Sequence, residues 1–228
     1  MKNKIIVLIL LLNNFIVKIF YSRIMKKITI ALMCMLLTAG AAMAQEKFTF
    51  GPKIGVDYTH YWGENVEHGG HLNYQAGVFM EYRFTSKFSI APEVVFAAQG
   101  GKYDLKRNIE GIDVELKETD HVNYINVPVM LKYYVAPALS IDFGPQVGFN
   151  VYSKNTIEGK VDKLKEKETT DMKKYTKTVD FGLGLGLTYN ITEEVFIQAR
   201  YTMGLTKVFN LDDDSKNGNG QIAIGFRF

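Results

Sequence analysis

From residue 48 onward, apolar side chains recur at every second position in eight successive segments, and no member of the recurring set carries a charge or an amide. A period of two is the signature of a strand, because successive side chains of a strand point to opposite faces of its sheet. Read at alternate residues, the sets run from Phe48 to Tyr58, Tyr74 to Phe84, Phe88 to Phe96, Ile125 to Tyr133, Leu139 to Val151, Val179 to Tyr189, Val195 to Leu205 and Ile222 to Phe228. The positions between them read Lys53, Asp57, Glu81, Arg83, Glu93, Lys132, Asp142, Asp180, Gln198, Arg200 and Arg227, interspersed with glycines such as Gly77, Gly144, Gly184 and Gly225.

One apolar and one polar face suit a soluble sandwich as well as a membrane barrel. Three features separate the two. Opposed charges mixed with glycine fit a crowded, narrow interior better than a solvated surface. The connections alternate in length: 85–87, 135–138 and 190–194 are tight, whereas 59–73, 97–124, 152–178 and 206–221 are long and polar. Short turns on one rim and long loops on the other are how transmembrane barrels are built. Aromatic residues gather at segment ends, as in Tyr82, Phe84, Phe88, Tyr133, Tyr189 and Phe228, where an interfacial girdle belongs. Each segment with its shoulders reaches the roughly 9 to 11 residues that a tilted strand needs to cross a bilayer. The expected fold is all-β: an eight-stranded antiparallel transmembrane barrel over residues 45–228, with both termini on the short-turn rim. Pro52, Pro92, Pro128 and Pro145 fall inside the strands and are expected to mark β-bulges near that rim, because proline cannot donate to a ladder.

The first 44 residues have a different composition. Met25-Lys26-Lys27, the apolar run Ile28 to Leu37 and the small residues Ala42 and Ala44 form a secretory signal peptide over 25–44, with cleavage between Ala44 and Gln45. Residues 1–24 are a second apolar segment in front of a complete leader, which points to translation starting at Met25, with an uncleaved anchor as the alternative. Of 27 lysines and arginines, six precede Gln45; against 24 acids, residues 45–228 carry 21 bases and a net charge of −3. The basic balance of the whole chain therefore belongs to the leader, and no nucleic-acid partner is expected. Cys34, the single cysteine, lies in the leader too, which excludes a disulfide framework or a cysteine metal site after it.

The stretches GPKIGVD (51–57), QAGVFMEYRF (75–84), FSIAPEVVFAAQGGK (88–102), INVPVMLKYY (125–134), IDFGPQVGF (141–149), VDFGLGLGLTY (179–189), QARYTMGLTKV (198–208) and the terminal GFRF together resemble the porin-family outer-membrane β-barrel proteins of Bacteroidota. That resemblance implies an OmpA/OmpX-like up-and-down meander, integral to the cell outer membrane and surrounded by its lipid, with a C-terminal Phe228 read by the barrel-insertion machinery. It implies no catalytic residue and no substrate.

Eight strands leave an interior only wide enough for side chains to fill. The inward set holds five bases (Lys53, Arg83, Lys132, Arg200, Arg227) and five acids (Asp57, Glu81, Glu93, Asp142, Asp180), whose charges cancel. Unpaired charges in so confined a space cost several kcal/mol each, so these ten are expected to interlock as a network that plugs the lumen. The alternative is a narrow porin passing ions or small solutes along a polar track.

Other motifs are set aside. Gly182-Leu-Gly184-Leu-Gly186 has the wrong spacing for a nucleotide loop and lies within a strand. Asp212, Asp213, Asp214, Asn217 and Gly218 resemble a calcium loop, but Ile224 stands where the bidentate glutamate belongs. His60, His68, His71 and His121 lie toward the long-loop rim without an accompanying serine and acid, so no enzyme activity, cofactor or metal is expected. The stretch from Lys154 to Lys177 holds eight lysines and five acids and reads as a solvated hairpin or loop, able to meet a surface ligand or lipid phosphate. Mass analysis of the protein extracted from membranes should give an amino terminus at Gln45; an intact Met1 or Met25 terminus would refute the leader.

Overall fold

The computed structural model describes residues 47–63, 69–109, 112–161, 164–210 and 214–228. The leader, its Ala44/Gln45 junction and His68 lie outside the described residues. Ten strands follow in order: β1 (Phe48–Trp62), β2 (His71–Arg83), β3 (Phe88–Ala97), β4 (Lys102–Ile109), β5 (Ile112–Ala136), β6 (Leu139–Val161), β7 (Leu164–Asp171), β8 (Val179–Asn190), β9 (Val195–Lys207) and β10 (Lys216–Phe226). Eight of them close on themselves as β1-β2-β3-β5-β6-β8-β9-β10, every neighbouring pair antiparallel. The closing ladder joins the first and last strands, from Lys53 opposite Gly225 to Trp62 opposite Lys216.

Burial is inverted relative to a water-soluble domain. Lys53, Asp57 and Asp142 are at most 2% exposed, while Ile54, Leu185 and Ile222 are each more than half exposed. An apolar exterior around a polar interior is what a surrounding bilayer demands of a closed sheet. Aromatic pairs mark the two ends of the apolar band. Phe50 with Phe228 at 5.6 Å and Phe88 with Tyr133 at 5.1 Å lie toward the short turns, and Tyr74 with Phe96 at 6.4 Å toward the other rim.

Two expectations need correction. The long polar connections are largely strand: β4 and the first half of β5 form one hairpin, the second half of β6 and β7 form another, which agrees with the hairpin reading of Lys154 to Lys177, and the two join through pairs from Val114↔Val161 to Asn123↔Tyr152. Apolar alternation registers only where lipid lies on one side, so it misses strands that are wet on both faces. A register shift between Asn123 and Tyr124 sits where barrel wall becomes free-standing hairpin.

The second correction concerns the prolines, which do not mark bulges. The register is the same on both sides of Pro92, Pro128 and Pro145. What changes is that ladder pairs drop out there: 80/92 and 81/91 between β2 and β3, 93/128 and 94/127 between β3 and β5, and 129/145 and 130/144 between β5 and β6. A missing N–H removes a bond without inserting a residue, so pairing lapses locally while the strands stay in step. Pro52 pairs in register with Val78.

Leu185 lies midway along β8 with its side chain in the apolar band. Leu185→Arg should destabilise the folded barrel by about 2–4 kcal/mol in urea unfolding from vesicles. Glu158→Gln, on the hairpin beyond the band, should change it by no more than about 0.5 kcal/mol.

Candidate functional site

The lumen is built in layers. At the short-turn end, Glu81 on β2 accepts hydrogen bonds from Ser89 Oγ at 2.8 Å and from the Tyr134 hydroxyl, with the Arg83 and Arg227 guanidinium groups each 3.9 Å away. Arg227 also donates to Asn190 Oδ1 at 2.8 Å. Arg83 stacks 4.0 Å above the Tyr134 ring, and its side chain is 41% exposed, so it belongs to the mouth rather than the interior. Above this layer Phe79 and Phe196 meet nearly at right angles with ring centroids 5.0 Å apart, and Arg227 lies 4.5 Å over Phe196.

The middle layer carries most of the charge. Glu93 on β3 receives Lys53 Nζ at 2.6 Å and both Arg200 Nη atoms, at 2.6 and 3.1 Å. Fork-to-fork guanidinium pairs of this kind are among the stronger charge-assisted bonds. β3 and β9 are four strands apart in either direction around the ring, so the Glu93–Arg200 pair spans the full diameter. On the other side Lys132 Nζ lies 3.2 Å from Asp142, which also accepts from Ser140 Oγ at 2.7 Å and from Thr188. Gln198 ties the two groups together, accepting from Lys53 at 3.0 Å and donating to Asp142 at 3.2 Å. One continuous network thus links β1, β3, β5, β6, β8 and β9.

Further up, Gln75 donates to Asp57 at 2.8 Å and to Gln221 at 3.1 Å, and Asn217 donates to Asp180 at 3.0 Å. At the outer end Tyr61, Val122, Tyr124, Val208 and Phe209 form a buried apolar cluster, with Tyr61 and Phe209 edge to face at 5.8 Å.

Of the ten residues expected in the lumen, the structure buries nine and leaves Arg83 at the rim. Glycine makes the room: a Cβ at Gly225 would lie 2.3 Å from the Phe196 ring, and one at Gly184 would press on Met130 Cε at 3.3 Å. Sequence reasoning passed over Ser89, Tyr134, Ser140 and Thr188, although each has the inward parity of its strand. It also treated the inward face as uniformly polar. Phe79 and Phe196 stand out of phase with the lipid-facing set, and that phase is the signal that could have found them. Nothing in the alternation points to Val208 or Phe209, which lie beyond the end of β9.

The remaining candidates resolve separately. Asp214 is occupied by Lys207 at 2.6 Å, which holds its carboxyl below the ordinary range, and Asn217 is committed to Asp180; Asp212 and Asp213 lie outside the described residues. His60 sits beside the Tyr201 hydroxyl at 3.4 Å, and His71 meets His121 with ring centroids 6.5 Å apart. Phe228 packs on Phe50 and Phe226, and its N–H donates to the Phe50 carbonyl at 2.8 Å.

The model of the outer membrane protein beta-barrel domain matches residues 43–210. The chain belongs to this outer-membrane β-barrel family. It is therefore an integral protein of the outer membrane, and β10, beyond the matched residues, is the strand that closes its ring. Among solved structures the barrel is similar to Ail, the attachment invasion locus protein of Yersinia pestis, at 15% identity over 81% of this chain and 100% of that one, with a TM-score of 0.46. It is similar to Neisserial surface protein A at 12% identity over 79% and 97%, TM-score 0.38. Acinetobacter baumannii CarO aligns at 10% identity over 77% and 97%, TM-score 0.37. No curated protein matches the chain.

Glu93 neutralises two buried cations at once. Glu93→Gln should destabilise the barrel by about 3–5 kcal/mol in equilibrium unfolding, since removing one partner leaves uncompensated buried charge. Loss of less than about 1 kcal/mol would contradict the network.

Proposed function

We propose that this outer-membrane protein is a non-enzymatic, non-conducting barrel whose side-chain-filled lumen stabilises a scaffold for the hairpins of β4–β7 at the cell surface. The observation that carries this reading is the bidentate Glu93–Arg200 pair, which crosses the whole diameter of an eight-stranded ring and is braced by Lys53, Gln198 and the Lys132–Asp142 pair. An aromatic layer below and an apolar cluster above stand in series with it.

The surface role draws on the projecting sheet. Its exposed face sets Lys167 2.7 Å from Glu158, beside Glu115, Lys117 and Lys160, a pattern of both signs suited to a polar surface ligand. The further assignment to a porin family of Bacteroidota rests on the eight sequence stretches quoted above. Phe228, tucked against Phe50, is our candidate for the residue that the insertion machinery reads.

Single-channel recording across a planar bilayer tests the plug. Protein purified from outer membranes should be heat-modifiable on gels, as a folded barrel is, yet give no steady open events. Steady openings whose ion preference changes in Glu93→Gln would replace the scaffold with a narrow porin.

A further inference from the structure

Where β3 ends at Ala97, the wall between β2 and the β5–β6 hairpin is completed by the short segment Ala98, Gln99, Gly100 and Gly101, of which only Gln99 carries a long side chain, and that one is buried. The Ala98 N–H donates to the Tyr74 carbonyl at 3.0 Å, and the Val122 N–H to the Gln99 carbonyl at 2.8 Å. Gly100, at φ +144°, passes so close to the Asp120 carbonyl that a Cβ there would lie 1.8 Å from its oxygen. With the Gln99 side chain buried, a cleft of about 630 Å³ opens over Ala98. His71, Asn73 and Tyr74 form one wall, and His121, Asn123 and Tyr152 the other.

Position and chemistry point the same way. Tyr74 packs against Phe96 in the outer aromatic girdle, so His71, three residues further out, stands at the height where lipid headgroups begin. Leu72 and Tyr74 are exposed on the lipid-facing side of the wall. The lining offers imidazole donors and the Asn123 amide, while the Asn73 amide is held by Thr59 at 2.7 Å, and it holds no carboxylate. Cations flank it on both sides. Lys154 is the cross-strand partner of His121 and lies 5.2 Å over the Tyr152 ring. Lys102 bridges Gly69, two residues before His71. Two acids on the adjoining strands are engaged: Asp104 with Lys102 at 2.9 Å, and the buried Asp120 with Asn155, which donates to it at 2.8 Å.

We propose that this cleft binds the phosphorylated sugar headgroup of an outer-leaflet lipid, with His71 and His121 as donors to the phosphate and the Tyr74 and Tyr152 rings against the sugar. Imidazole N–H groups and nearby ammonium groups form charge-assisted bonds to phosphate oxygens. The volume suits a phosphorylated sugar better than a lone ion. The inference goes beyond the scaffold reading and does not depend on whether the lumen conducts.

Histidine-labelled full-length protein in phosphatidylcholine nanodiscs, followed by NMR, decides it. On titration with bisphosphorylated lipid A, the His71 and His121 imidazole signals should move saturably while His60 stays in place. The double variant H71N/H121N, titrated calorimetrically beside the wild type in the same nanodiscs, should bind lipid A at least fivefold more weakly with the same melting temperature. Dephosphorylated lipid A and inorganic phosphate at equal concentration should each leave the two signals unmoved. Equal movement with the dephosphorylated lipid would make the cleft an acyl or sugar site and overturn the proposal. Equal movement with inorganic phosphate would overturn the lipid assignment. Should the double variant fail to fold, the wild-type titration decides alone, and unmoved signals at saturating lipid A refute the proposal.

Discussion

Every strand of the barrel depends on the β1–β10 ladder. In a bilayer an open sheet edge strands a row of N–H and C=O groups without water, at several kcal/mol each. Pairing of the first strand with the last removes both edges in one step, and makes residues 53 and 225 neighbours although nearly the whole domain separates them. It also explains why the ladder tolerates three proline interruptions without losing register: each costs a bond or two inside an otherwise closed ring, whereas a slip by one residue would turn an entire strand's charges into lipid.

Closure at eight strands dictates the interior. The space is too narrow for water to solvate nine buried charged groups independently, and they are accommodated by ion pairs with one another or, for Asp57 and Asp180, by neutral amide and hydroxyl donors. Glu93 serves two cations, Asp142 serves a lysine and three neutral donors, and Gln198 connects them. Glycines opposite these side chains supply volume at the cost of backbone entropy, a cost that the surrounding ladder offsets. Long lysine and arginine side chains can thus lie across the barrel instead of snorkelling out of it.

Beyond the bilayer the constraint changes. With water on both faces the strands need no apolar side, and β5 and β6 run on as a polar hairpin flanked by β4 and β7. The two outer strands carry many charges, including Lys167, Glu168 and Asp171 on β7, which discourages further strands from adding to the edge. At the boundary between the two regimes the wall thins to Ala98–Gly101, and there the cleft forms.

The number of membrane strands and the identity of nearly all the buried charges were legible from alternation, because lipid on one side and a packed lumen on the other impose a strict period of two on each segment; the inward charges and glycines, the alternating turn lengths and the aromatic segment ends told which face meets lipid. Parity would also have shown Ser89, Tyr134, Ser140 and Thr188. Which charge meets which was not legible. Glu93 and Arg200 are 107 residues apart and come together only because the ring places β3 opposite β9. The outer cap of Val122, Val208 and Phe209, the joined hairpins and the pairing of His71 with His121 likewise arise from how the strands are staggered and curved around the barrel. Local periodicity records which environment a side chain faces; only closure of the sheet in three dimensions decides its neighbours.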